Sequence, residues 1–122
     1  MPPEAGREQP GALRCCPHYH EAVELLGRRW TGAIVAVLLD GGPLRFSEIA
    51  AAVPELSDRL LSQRLKDLED RGLVVRDDPA GPAPHPRYAL TQMGRELEPA
   101  VRALRSWGRR WLDTPASTFR PA

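Results

Sequence analysis

Cysteines and long apolar runs are scarce in this sequence of 122 residues, and each scarcity excludes a class of protein. The two cysteines, Cys15 and Cys16, are adjacent, whereas a secreted fold held by disulfides has more of them at wider spacing. No apolar run approaches the roughly 20 residues of a membrane span, and the N-terminus lacks the apolar segment of a signal peptide. The sequence therefore predicts a cytoplasmic protein with reduced thiols and no membrane partner.

Charge of one sign is also not in excess. The chain has 17 basic and 16 acidic residues, a net charge of +1, so bulk charge does not indicate a nucleic-acid partner. Every basic residue except Lys66 is arginine. Arginine suits bidentate contacts with phosphate and guanine, but genomic composition produces the same bias. Charge alone therefore leaves the function open.

Composition separates a central domain from two irregular ends. Residues 1–14 are rich in proline, glycine and charge without periodicity, which predicts a disordered N-terminal arm. Residues 114–122 predict a disordered tail. The intervening residues 15–113 are expected to form one domain with a modest core.

Start and stop signals predict the helices of this domain. Pro17 suits the first turn of a helix, because a residue there needs no amide donor. The first helix is predicted to end at Gly27, and a second one runs from Trp30 and Thr31 to a break at 40–43. A short strand at Leu44–Arg45 is expected next.

Two helices are predicted to follow this strand. The first begins at the cap Ser47 and runs to Val53, and the second runs from Ser57 or Asp58 to the stop at Gly72.

A β-hairpin and a long helix are predicted after Gly72. Residues 73–75 and 88–90 favour strands, and residues 78–86 between them hold four prolines and a glycine, too many to pair as a sheet. Thr91 then caps a helix that is expected to span 91–112, with a kink at Pro99.

This order of elements is the plan of a winged helix-turn-helix. The fold class is mainly α with a small β-hairpin, the wing, and the second helix of the motif is shaped to enter a DNA major groove. No catalytic triad, phosphate loop or pair of carboxylates stands out, so an enzyme is not predicted.

The helix after Ser57 has two chemically distinct sides. At 100° per residue, Leu60, Leu61, Leu65 and Leu68 fall in one sector and are expected to face the core. Arg64 falls among them, where a structural ion pair with an acidic neighbour is expected. The opposite side offers donors for base edges and phosphates, although a solvated face is polar too; its predicted DNA-contacting residues are Ser57, Arg59, Ser62, Gln63 and Lys66.

The predicted wing and the strand before the motif carry further cations. Arg76, His85 and Arg87 belong to the hairpin, within reach of the phosphate backbone or the adjacent minor groove. Arg45 precedes the first helix of the motif and is a candidate phosphate contact. Each of them is also consistent with an ordinary surface charge.

Several ordered sequence blocks are shared with a known family. They are C-P at Cys16, G-R-R-W-T from Gly27, R-F-S-E-I from Arg45, the block from Ser57 that runs S-D-R-L-L-S-Q-R-L-K-D-L-E-D-R-G-L-V, R-Y-A-L-T from Arg87, G-R-E-L from Gly94 and W-G at Trp107. With these blocks the chain resembles the HxlR-type transcriptional regulators, a winged-helix group related to the MarR regulators. The resemblance covers nearly everything from Cys16 to Trp111.

The resemblance implies a homodimer whose N-terminal helix and long C-terminal helix pack against the partner. It also implies a DNA-binding repressor or activator. Some members with a cysteine at the position of Cys16 sense electrophiles, quinones, aldehydes or oxidants, and others need no cysteine chemistry. A winged helix used only for protein–protein contact is the alternative from another class.

The residues around Cys16 leave its role open. A thiol at a helix start, close to His18 and His20, is placed where amide dipoles favour the thiolate that an oxidation sensor needs. An inert cysteine that packs as a small apolar group is the other interpretation. A disulfide between adjacent Cys15 and Cys16 would be strained, and the C-C-P-H-Y-H grouping meets no standard ligand spacing, so no metal or cofactor is predicted.

The last predicted helix carries an apolar stripe too large for a small core to cover. Trp107 and Trp111 lie one turn apart near its end, which indicates a partner surface. The predicted dimer interface is formed by Leu97, Val101, Leu104, Trp107 and Trp111. Because a symmetric dimer presents two reading helices, the predicted operator is an inverted repeat.

Overall fold

The computed structural model describes residues 13–77 and 85–112. The predicted arm, tail and wing tip therefore lie outside the described residues, except for the few positions at their edges. The helices are α1 Pro17–Gly27, α2 Thr31–Gly41, α3 Phe46–Ala52, α4 Asp58–Asp70, α5 Gln92–Arg95 and α6 Glu98–Trp111, and the strands are β1 Leu44–Arg45, β2 Val74–Asp77 and β3 Arg87–Leu90. None of the described helices is long and apolar enough to cross a membrane.

Most helix ends follow local sequence signals. Pro17 occupies the first turn of α1, and Gly42 ends α2 at a φ of +70° with its N–H bonded to Leu38 O at 3.0 Å. The Ser57 hydroxyl accepts the Leu60 N–H at 3.2 Å and caps α4. Gly72 adopts a φ of +84°, a left-handed conformation that glycine tolerates, and α4 stops just before it. The predicted bounds of these helices are confirmed.

The predicted cap of α3 is wrong. Helix α3 begins at Phe46, so Ser47 lies inside the helix and Arg45 is the cap residue. Arg45 pairs with Arg87 in the sheet, and its backbone N–H is bonded to Glu48 Oε1 at 2.8 Å. Because β1 leads directly into α3, Glu48, three residues on, accepts the N–H of the cap residue itself, whereas a serine cap would accept an N–H from the first turn of the helix.

The prediction of a single long C-terminal helix is also wrong. The chain forms α5 after the cap Thr91, whose hydroxyl accepts the Gly94 N–H at 3.2 Å, and then a separate α6. Pro99 has no amide hydrogen and its ring would clash with the carbonyl four residues earlier, that of Arg95, where α5 ends. Proline therefore starts a new helix here, within the first turn of α6, instead of kinking one that continues.

A three-stranded antiparallel sheet closes one side of the helices. Its order is β1-β3-β2, with Leu44 opposite Tyr88 and Val74 opposite Leu90. Helices and sheet share a core that draws on α2, α3, α4, both hairpin strands and the start of α6. Its buried apolar residues are Trp30, Ile34, Val35, Leu38, Ile49, Val53, Leu56, Leu61, Leu65, Leu68, Leu73, Val74, Leu90 and Val101.

Candidate nucleic-acid interface

Helix α4 is held in the core by one side only. Its leucines Leu61, Leu65 and Leu68 are at most 1% exposed, and Leu60 is half-buried against the same core. The predicted polar side, consisting of Arg59, Ser62, Gln63 and Lys66, is exposed to solvent. The fold thus leaves this row of donors on the outer surface of the second helix of the motif.

Ser57 differs from the other predicted DNA-contacting residues of α4. Its side chain is exposed, but its oxygen accepts the Leu60 N–H as the helix cap. The hydroxyl hydrogen remains available for a phosphate oxygen, since a serine can donate and accept at once.

A carboxylate that the sequence interpretation missed organises one edge of this surface. Asp67 Oδ2 lies 3.3 Å from Arg28 Nη1 and 3.5 Å from Arg64 Nη1, and Asp67 Oδ1 accepts Gln63 Nε2 at 3.1 Å. Arg64 Nε also donates to Arg29 O at 2.9 Å. The expected ion pair of Arg64 is present, and its acidic partner ties α4 to the corner between α1 and α2. The spacing of three and four residues to Arg64 and Gln63 was the available signal.

A second missed carboxylate lies at the base of the wing. Arg45 and Arg87 are opposite each other in the sheet, and Glu48 lies 3.7 Å from Arg45 Nη2 and 3.9 Å from Arg87 Nη1. The backbone N–H of Arg45, and then the two guanidinium charges, hold the pKa of Glu48 below its ordinary value. Glu48 therefore stays ionised between two predicted phosphate-contacting arginines.

The remaining predicted wing cations converge on a neighbouring concave surface. Arg45, Arg76 and His85 line a groove of about 460 Å³ together with Phe46 and Tyr88. Arg45 and Arg76 bring two positive charges to this open groove, although the net charge of the chain is small.

Cys15 and Cys16 are both exposed free thiols at the start of α1. Cys16 is the cap residue, with an extended backbone, and its carbonyl accepts the first helical bond from His20 N at 2.9 Å. Two residues on, His18 lines a groove of about 310 Å³ whose floor includes Leu25, Met93 and Leu97. Cys16 itself does not line this groove, and Glu21 and Arg71 also belong to its lining.

The predicted dimer residues divide into two groups. Leu104, Trp107 and Trp111 are 63%, 56% and 64% exposed, whereas Val101 is 8% exposed and Leu97 is half-buried against the core of its own chain. The first turn of α6 is thus used within the protomer and the later turns carry an uncovered apolar face.

An ion pair links α6 to α2. Arg105 Nη2 lies 2.7 Å from Asp40 Oδ2, and Arg105 Nη1 lies 3.1 Å from Asp40 Oδ1, at the end of α2. This bidentate contact joins α6 to the exposed Asp40 near the end of α2.

The arrangement defines a winged helix-turn-helix DNA-binding protein. Its motif is α3 and α4, and its wing is the hairpin of β2 and β3. A sequence model described as HxlR-like helix-turn-helix matches residues 25–116, and the chain belongs to that family. The predicted family, fold class and DNA-binding regulatory class, rather than an enzyme, are confirmed.

Relatives in Bacillus subtilis (strain 168) are named as transcriptional regulators. The HTH-type transcriptional regulator YvaP is 44% identical over 98 residues, which cover 80% of this chain and 90% of YvaP. The reduced form of the transcriptional regulator YodB matches with a TM-score of 0.73 and 35% identity, over 82% of this chain and 97% of that one. The quinone-bound YodB structure matches with a TM-score of 0.67 and 36% identity, over 79% and 100%.

Proposed function

We propose that this chain is a homodimeric, sequence-specific repressor in the cytoplasm that binds an inverted-repeat operator. The observation that carries the proposal is the outer side of α4. Arg59, Ser62, Gln63 and Lys66 are exposed there, while Leu61, Leu65 and Leu68 on the opposite side are buried. A rigid helix that presents donors on one side suits the donor and acceptor pattern of a major groove. Arg45, Arg76 and Arg87 then lie on the wing side for contacts with phosphates.

The uncovered end of α6 supports the dimer. Leu104, Trp107 and Trp111 expose more than half of their surface, next to Leu112 at 56%. An apolar face of large aromatic residues is typical of a protein–protein interface. Because Arg105 holds α6 against α2, a second copy that packs on this face would set the spacing of two α4 helices.

Binding to DNA upstream of its own gene tests the reading helix. Arg59→Ala and Gln63→Ala are each expected to weaken operator binding by about 1–3 kcal/mol, since each removes donors at a base edge. Arg102→Ala is the matched control, because Arg102 is exposed on α6 and pairs with Glu98 in its own helix. Mobility-shift titrations measure the effect. Parent-like affinity in both α4 variants would show that another surface binds the DNA.

The wing residues have a different expected signature. Arg76→Ala or Arg87→Ala should weaken binding to operator and unrelated DNA alike and lower the slope of log affinity against log salt by about 1. Footprinting at saturation should show two protected half-sites about one helical turn, or a multiple of it, apart. A single protected half-site would contradict the inverted-repeat geometry. No retardation of any fragment would favour the protein–protein alternative.

We further propose that Cys16 senses electrophiles. It is an exposed free thiol at the start of α1, two residues before His18, and the related YodB has a quinone-bound structure. The thiolate of Cys16 would add to a quinone carbon: a C–S bond forms, the displaced π electron pair moves to a ring oxygen, and that oxygen takes up a proton. The hydrogen of the attacked carbon then moves as a proton to the second ring oxygen, which leaves a hydroquinone thioether. No oxidant is consumed in this addition.

Treatment with a small benzoquinone tests this role. The parent is expected to gain one adduct mass and to lose operator affinity. Cys16→Ser should keep its affinity, while Cys15→Ser, the adjacent control, should respond as the parent does. An unchanged response in Cys16→Ser would show that Cys16 is not the sensing thiol.

A further inference from the structure

The two oxygens of Asp67 have different partners. Oδ2 faces the guanidinium groups of Arg28 and Arg64, and Oδ1 accepts a hydrogen bond from Gln63 Nε2 at 3.1 Å. Arg64 is itself anchored by its bond to Arg29 O at 2.9 Å, and its side chain is only 12% exposed. The two arginines thus hold one oxygen of the Asp67 carboxylate, and the other oxygen is bonded to Gln63 on the polar side of α4.

This arrangement decides which way the Gln63 amide faces. A carboxylate accepts hydrogen bonds, so the NH₂ end of the amide must point to Asp67 and the carbonyl end must point away. One N–H of Gln63 is used by Asp67. The second N–H and the carbonyl oxygen remain for a ligand, side by side on an exposed residue one turn after Arg59.

Only one base matches a neighbouring donor and acceptor of this kind in the major groove. Adenine presents the N7 acceptor next to the N6 amino donor. Guanine presents two acceptors, N7 and O6, and its O6 would face the Gln63 carbonyl. Cytosine and thymine each offer a single polar group to such a pair.

We propose that Asp67 is a positioning residue that fixes the Gln63 amide for adenine, so that Gln63 selects one A·T pair in each operator half-site. The inference rests on the proposed reading of the major groove by α4. Asp67 itself touches no base. It sets the orientation of Gln63 before binding, which spares the complex the cost of ordering a free side chain.

Affinity for operator variants that carry each of the four base pairs at every position tests the proposal. The parent should show one position per half-site where replacing A·T lowers affinity by about 5- to 150-fold, which is the range for a bidentate base contact. Gln63→Ala and Asp67→Ala should both lose this preference at that position. Arg28→Ala is the matched control: it removes one ion pair of Asp67 but leaves the Gln63–Asp67 bond, so it should keep the preference.

Two outcomes would overturn the inference while leaving the proposed function intact. One is an operator-specific parent whose preferences are all retained in Gln63→Ala. The other is Asp67→Ala with parent-like helix content, parent-like affinity for unrelated DNA and the full adenine preference. Absence of any sequence preference in the parent would instead refute the proposed function.

A second variant, Gln63→Glu, tests the orientation of the Gln63 amide if Asp67→Ala does not fold. Gln63→Glu offers acceptors only, and glutamate accepts from the N4 amino group of cytosine. The preferred pair at the same position should then change from A·T to C·G. A retained preference for A·T in Gln63→Glu would contradict the assigned orientation.

Discussion

Replacing Gly94 with alanine is expected to destabilise this fold strongly, although Gly94 lies in a helix. A Cβ built at Gly94 would lie 2.5 Å from Leu73 O and 2.9 Å from Leu90 Cδ2. The carbonyl of Leu73 also accepts the Thr91 N–H at 2.9 Å, and the Thr91 hydroxyl is bonded to Gly72 O at 2.6 Å. Helix α5 therefore lies directly on the backbone at the start of the wing, with no room for a methyl group.

The size of the stability loss in Gly94→Ala depends on which atoms must shift to make room for the added methyl group. Relief of a contact of 2.5 Å requires a shift of the Leu73 backbone or of α5, since the obstructing atom is a carbonyl oxygen rather than the end of a flexible side chain. Overpacking of this kind costs about 1–3 kcal/mol, and a weakened Thr91–Leu73 bond adds about 1 kcal/mol. The ordinary gain of alanine over glycine in a helix offsets about 1 kcal/mol. The net expectation is a loss of about 2 kcal/mol in the free energy of unfolding.

Urea denaturation followed by far-UV circular dichroism at one fixed protein concentration measures this loss. Gly27→Ala is the matched control, because Gly27 lies in helix α1 and its added Cβ would meet nothing within 4 Å. That variant should be as stable as the parent or more stable by a few tenths of a kcal/mol up to about 1 kcal/mol. Equal stability of Gly94→Ala and Gly27→Ala would refute the close approach of α5 to the wing.

Three further predictions follow from other contacts. The Arg45 N–H lowers the pKa of Glu48 from its ordinary value of 4.5, so the contacts of ionised Glu48 stabilise the fold above pH 4.5 and are lost as the pH falls through the lower pKa of the folded state. In urea titrations, the difference in stability between the parent and Glu48→Gln should therefore shrink from pH 7 to pH 3. Ser57→Ala should cost about 1 kcal/mol as a lost cap, whereas Ser47→Ala should cost less, and equal losses would contradict the observed caps. Trp107→Ala should shift the proposed dimer toward monomer in sedimentation experiments at micromolar concentration, and a dimer that the substitution leaves unchanged would place the interface elsewhere.

Local chemistry made much of this fold predictable. The start at Pro17, the cap at Ser57 and the stop at Gly72 depend on single residues and their immediate neighbours, and all three lie where the sequence predicts them. The division of α4 into a leucine side and a polar side follows from helical periodicity alone, and the structure has the same division. The DNA contacts of that polar side remain a prediction.

Other features depended on residues far apart in the chain. Glu48 lies between Arg45 and Arg87 because β1 pairs with β3, and Asp67 meets Arg28 because α1 ends beside α4. The spacing of residues within one helix does not indicate that Glu48 meets Arg87 or that Asp67 meets Arg28. The same limit applies to α6, where periodicity predicts one continuous apolar stripe.

The sequence by itself determined the order of elements, most helix ends and the polar side of α4, because caps, turns and periodicity act over a few residues. Only the tertiary structure decided that Val101 is buried within the protomer and that Trp107 is left exposed. The physical reason is that burial depends on which surfaces meet, and α6 contacts the core with its first turns before it extends beyond it.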